Sequence, residues 1–231
     1  MPNHTQIYLL EAQRYEELIA KQPLLGEKLH ELYPFSGKDV LDLGAGTGRL
    51  TVPVAQKANS ILALDASAAK LEVTAKKLED LGLSNWRTEV ADHRQLPVEA
   101  NSMDLVVSGW SIAYLASTNQ KNWSEDLKQV ISEIKRVLKP GGACVIFETL
   151  GTGWTTPHPP DFLTSYYTLL EQEYGFEKQW IRTDYTFNHI EEAVELTRFF
   201  FGDALAQRVR DENLVILPEC AGIWTLKLPS S

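Results

Sequence analysis

The chain has 231 residues, 44% of them hydrophobic and 23% charged, and carries a formal net charge of -9. That length suits one α/β domain with a large core, and an acidic balance with no run of Lys and Arg interleaved with aromatics speaks against nucleic acid as a partner. No apolar stretch is long enough to span a membrane, residues 1–6 lack the basic start and apolar run of a signal peptide, and Cys144 and Cys220 read as buried small hydrophobes rather than a disulfide or metal pair; the expectation is a cytoplasmic protein.

In chain order, residues 7–33 read as helical, with Ile7, Leu10, Tyr15, Leu18 and Ile19 roughly on one face and Pro23 as the interruption. Pro34-Phe35-Ser36-Gly37 turns the chain into a first strand over 39–43. A glycine turn follows and opens a crossover helix over 48–58, in which Pro53 is tolerable near the first turn. A second strand over 60–64 ends at Asp65, and Ser67 caps a helix to about Leu81 that Gly82 stops. Strands over 86–91, ending at Asp92, and over 103–108 come next. From 126 to 138 apolar residues recur at spacings of three and four; Lys139-Pro140-Gly141-Gly142 ends that helix and leads to a fifth strand over 143–148. Strands alternating with helices imply a parallel sheet with helices on both faces. Beyond a Gly-, Thr- and Pro-rich loop, the pattern predicts a helix over 161–174 and a strand over 178–186. One long helix or two abutting ones follow over 190–210, with Gly202 as the break, and strand pieces at 214–217 and 221–228 close the chain.

The chemistry is concentrated in Asp42-Leu43-Gly44-Ala45-Gly46-Thr47-Gly48-Arg49. A strand, a tight glycine turn and a helix start form the first unit of a nucleotide-binding sheet, and residues with little side chain let a flat ligand lie against the backbone. A dinucleotide fingerprint would need a third glycine where Arg49 stands, and no Lys-Ser or Lys-Thr follows as a phosphate loop requires. Asp65, about twenty residues on at a strand end, is placed to accept from both hydroxyls of a ribose.

At these residues the chain resembles the class I S-adenosylmethionine-dependent methyltransferases, whose first motif has the form [DE]-x-G-x-G-x-G; the Leu138-Lys139-Pro140-Gly141-Gly142 turn is also typical, and the resemblance covers about residues 38–150. It implies a doubly wound, mostly parallel seven-stranded sheet with helices on both faces and an antiparallel last strand, a Rossmann-like arrangement. It also implies S-adenosylmethionine as cofactor, with S-adenosylhomocysteine as product. Asp42 and the Gly44, Ala45 and Gly46 backbone would hold the amino acid end, Asp65 the ribose, and Ala66 would pack on the adenine. Asp92 would accept the adenine amino group and His93 would offer its backbone N–H; apart from the resemblance, the bland reading of His93 is a surface loop histidine whose side chain does nothing. Ser108, Gly109 and Trp110 would line the floor.

The single domain is expected to divide into an N-terminal helical cap (1–37), the cofactor-binding core (38–150), a substrate-side insertion (151–177) and the C-terminal part of the sheet (178–231). Tyr8, Tyr15, Tyr114, Trp154, His158 and Tyr166 are the candidates for a substrate pocket, with the N-terminal helix closing over the cofactor. Glu148, His158 and His189 are candidates for a general base, although no spacing assigns one. No metal is expected. The fourth strand ends Ser108-Gly109-Trp110-Ser111 where enzymes methylating nucleobase or glutamine amines carry an Asn-Pro-Pro-Tyr-like motif. The expected acceptor is a small molecule; tRNA or protein as acceptor, a non-catalytic cofactor-binding module and an NAD-dependent oxidoreductase are the rival readings.

Overall fold

The computed structural model describes residues 11–230; Ile7, Tyr8 and Leu10 lie outside them. The chain divides into two compact units. The larger takes Leu24–Glu148, Pro159–Gln179 and the residues from Gly222 on; the smaller takes the described residues up to Pro23 with Thr149–His158 and Trp180–Ala221.

The larger unit is built on strands β1 (Asp39–Leu43), β2 (Ser60–Asp65), β3 (Trp86–Val90), β4 (Met103–Gly109) and β5 (Leu138–Thr152). Val40, Leu41, Leu43, Ile61, Leu64, Val106 and Val145 are buried, the near-continuous apolar runs of strands covered on both faces. The pairs β1–β2, β1–β4, β2–β3 and β4–β5 are all parallel, with Leu43 opposite Leu64 and Asp42 opposite Val107. With β6 (Glu177–Arg182) and β9 (Glu219–Lys227) the sheet has seven strands in the order β3-β2-β1-β4-β5-β9-β6; it is mostly parallel with an antiparallel strand, as expected. Strand order reverses between β1 and β4, the point at which such sheets open a crevice beyond their carboxyl ends.

Two helices of this unit follow the sequence closely. The helix α4 (Ala68–Asp80) is capped by Ser67, whose hydroxyl accepts from Lys70 N, and Gly82 sits just past its end at φ 68°. The helix α6 (Trp123–Val137) begins three residues before the expected start, with Glu125 and Asp126 in its first turn, where the helix dipole favours acids. The crossover helix α3 (Thr51–Ala55) is much shorter than the 48–58 expected, because residues 45–50 are spent on the glycine turn. Around these lie α2 (Gly26–Leu32), α5 (Ala113–Ala116) and α7 (Asp161–Gln172); α1 (Ala12–Ile19) belongs to the smaller unit.

In the smaller unit, α8 (Ile190–Phe201) and α9 (Asp203–Asp211) meet at Gly202, whose φ of 94° breaks the helix where the sequence places the break. Leu18 of α1 packs with Tyr185, Phe187, Val194, Leu196, Ala206 and Val209, and Lys21 pairs with Glu192. The expected 178–186 strand is two strands in two sheets. After β6 the chain bends, and β7 (Tyr185–Thr186) pairs antiparallel with β8 (Ile216–Leu217). Asp184 accounts for the bend: its carboxylate accepts from Glu219 N at 3.0 Å and holds Arg182 at 2.7 and 2.8 Å.

Candidate functional site

The residues expected to hold a cofactor lie in the larger unit, at the carboxyl ends of β1, β2, β3 and β4. Gly44 and Gly46 take φ values of 82° and 56°, a region that side chains disfavour. They differ in what surrounds them. Among the described residues a Cβ at Gly46 would meet nothing within 4 Å, whereas one at Gly44 would fall 1.8 Å from Ser111 Oγ. Gly46 therefore presents bare backbone to open space, a cradle that fits a flat ligand. Gly44 is bare because Ser111 presses on it.

Asp65 ties the turn to β2. Its Oδ2 accepts from Gly46 N at 2.9 Å and its Oδ1 from Ser67 N at 2.8 Å, with Lys70 Nζ at 3.9 Å. Each carboxylate oxygen retains capacity for a further donor, so holding the turn is compatible with accepting from a diol. Ala66, next in the chain, is exposed. Asp42 is buried and accepts from Thr51 Oγ1 at 2.6 Å; burial pushes its carboxyl up to about 7, with Asp65 pushing the same way and Thr51 opposing.

At the end of β3, Asp92 accepts from Arg94 through both oxygens, at 2.9 Å from Nε and 2.6 Å from Nη2, and Arg94 also reaches Asp126 at 3.0 Å. The hydrogen bonds from Arg94 hold the Asp92 carboxyl down at about 2. His93 is not an idle loop side chain: it is buried, and its Nε2 lies 2.7 Å from Ser111 Oγ. Burial holds its pKa below the ordinary value against the opposing pull of Asp65 and Asp92, favouring a neutral ring.

On β4, Ser108 donates to Leu43 O at 2.8 Å, and a Cβ at Gly109 would stand 3.0 Å from Leu50 Cδ1. Trp110 holds an unusual φ of 51°, fixed by its N–H donating to Phe147 O at 2.7 Å and by its ring stacking on Phe147. The Arg49 guanidinium lies 3.8 Å from the Trp110 ring centroid. At the end of the parallel part of β5, Glu148 is buried and accepts from Ala113 N at 2.9 Å and from Tyr166 Oη at 3.5 Å. Burial raises Glu148 to about 8, so its carboxyl is largely protonated at neutral pH.

The candidate substrate residues divide between the two units. Within the larger unit Tyr114 is exposed, while Tyr166 is fully buried against Glu148. Within the smaller unit Trp154 is exposed and its ring lies 4.1 Å from that of His158, and Tyr15 packs on Phe200 at 5.3 Å. Tyr8 is outside the described residues. Among the base candidates, His189 is occupied as the cap of α8, accepting from Glu192 N at 3.3 Å. Sequence reasoning missed Arg49 over Trp110, Arg94 on Asp92 and Ser111 on Gly44. Only the Asp92-x-Arg94 spacing carried a signal for any of them. Among the described residues no three His, Cys, Asp or Glu side chains are grouped to hold a metal ion.

Residues 40–142 match the family model described as a methyltransferase domain. Over 128 residues the chain is 35% identical to phosphoethanolamine N-methyltransferase 1 of Triticum aestivum, covering 53% of this chain and 24% of that protein. Over 145 residues it is 32% identical to malonyl-[acyl-carrier protein] O-methyltransferase of Marinomonas sp. (strain MWYL1), covering 62% of this chain and 49% of that one. The chain thus spans half or less of the length of these relatives. In fold it is similar to a SAM-dependent methyltransferase from Aquifex aeolicus, with a TM-score of 0.57 over 96% of this chain and 93% of the other at 16% identity.

Proposed function

We propose, from the premise that residues 40–142 belong by sequence to the class I S-adenosylmethionine-dependent methyltransferase family, that the protein transfers a methyl group from S-adenosylmethionine to a small molecule in the cytoplasm. The observation that carries the reading is the glycine turn of the larger unit: Gly46 borders open space, and the Asp65 carboxylate lies hydrogen-bonded beside it. In this reading residues 38–150 bind the cofactor.

The cofactor, when bound, supplies a methyl group already activated on a sulfonium. The chain's own work is to hold and align. Asp65 accepts from the ribose hydroxyls, the Gly44–Gly46 backbone and Asp42 seat the amino acid end, and Asp92 with the His93 N–H reads the adenine edge. The Trp110 ring already carries a cation on its face, the Arg49 guanidinium, which it holds beside the turn. The acceptor presents a nucleophilic oxygen, nitrogen, carbon or sulfur; the names of the relatives include N-, O- and C-methyltransferases. No acid or histidine is given the role of base, and no nucleic acid or metal takes part.

Calorimetric titration with S-adenosylmethionine and S-adenosylhomocysteine tests the reading. Micromolar binding of both is expected. Absence of binding by folded protein, with binding of NADH in its place, would overturn it.

A further inference from the structure

Ser111 Oγ and Cβ would stand 1.8 and 2.3 Å from a Cβ at Gly44, and His93 Nε2 would stand 3.1 Å from it. His93 Nε2 and Ser111 Oγ are themselves 2.7 Å apart. The end of β3, the end of β4 and the glycine turn after β1 thus converge on one hydrogen bond, buried on the histidine side. From this contact we propose that the His93 side chain is a positioning residue for the cofactor: it holds Ser111 against Gly44, so that the His93–Ser111 pair backs the turn at Gly44 and fixes Gly46, two residues on, as the cofactor seat.

The inference rests on the cofactor reading above. A glycine turn has more conformational freedom than any other stretch of backbone, and a seat that must be ordered at the moment of binding weakens the ligand by that ordering cost. The pair removes the cost in advance. Neither side chain needs to touch the ligand for this, which separates the role from the backbone N–H contact expected of His93.

Titration of S-adenosylhomocysteine into wild type, His93→Leu, His93→Gln, Ser111→Ala and the His93→Leu/Ser111→Ala double variant decides the matter. Gln carries an amide nitrogen at about the distance of Nε2 and can keep the bond. The expected result is about tenfold weaker binding for His93→Leu and for Ser111→Ala, recovery in His93→Gln, and a double variant no weaker than either single one. Unchanged affinity in folded His93→Leu overturns the proposal, as does a His93→Gln variant as weak as His93→Leu or additive losses in the double variant. Wild-type protein that binds no S-adenosylhomocysteine fails the cofactor reading instead, a result distinguishable from these.

Discussion

Replacing Asp65 tests the link between the β2 end and the glycine turn without reference to any ligand. The carboxylate is buried and accepts two backbone hydrogen bonds, from Gly46 N at 2.9 Å and Ser67 N at 2.8 Å. A hydrogen bond to a charged group is worth about 1.5–3 kcal/mol. Loss of both in Asp65→Ala puts the destabilisation at roughly 3 kcal/mol or more, a large share of the total stability of about 5–15 kcal/mol for a protein of this kind. Asp65→Asn keeps one acceptor oxygen but sets an NH2 group against the other N–H, so its cost falls between wild type and alanine. Urea unfolding, monitored by far-UV circular dichroism with the slope held common, measures both. S-adenosylhomocysteine titration of the folded variants adds the ligand side, with affinity down by roughly 2–3 kcal/mol in Asp65→Ala. An Asp65→Ala midpoint equivalent to less than about 0.5 kcal/mol of lost stability would refute the account of the carboxylate as the clasp of the turn.

Gly46→Ala and Gly44→Ala should part company. The first pays about 1–2 kcal/mol for a left-handed alanine and keeps the fold, but blocks S-adenosylhomocysteine; the second collides with Ser111 and should melt far lower, as calorimetric scans of both will show. For Glu148 the folded pKa of about 8 stands above its ordinary 4.5, so the folded state binds the extra proton and stability falls as pH rises through that window, levelling off above 8. Glu148→Gln keeps an acceptor for Ala113 N and Tyr166 Oη, and should match wild type below pH 5 yet exceed it by a few kcal/mol at pH 9, at about 1.4 kcal/mol per unit; parallel stability curves would refute this. Leu18→Ala, at a fully buried position in the smaller unit's core, should cost about 2–5 kcal/mol in urea unfolding.

The sheet was legible where burial leaves an unbroken apolar run between turn residues. The bounds of β1 match the expectation, those of β2, β3 and β4 differ by one residue, and the Gly202 break between α8 and α9 was readable because a left-handed residue is needed there. Legibility failed where side chains from distant positions decide the outcome. The expected 178–186 strand splits because Asp184 turns its carboxylate onto Glu219 N, thirty-odd positions away, and no local pattern encodes that pairing. The same holds at the site. Glycine at position 44 was readable, but the close approach of Ser111 to it was not. Tyr166 reads as a pocket aromatic by type, yet it is buried on Glu148.

The strand order also sets a timetable for synthesis. β9 lies beside β5 in the sheet but leaves the ribosome about 65 residues later, a delay of several seconds at about 5–20 residues per second. Through that interval β1 to β5 can already be paired, while the outer edge of β5 stands with its peptide groups unmatched. An apolar strand whose edge waits for a partner is a template for any other extended chain. The nascent protein is therefore most exposed to mispairing after its cofactor half is complete, and a chaperone acting in that window would have a defined surface to cover.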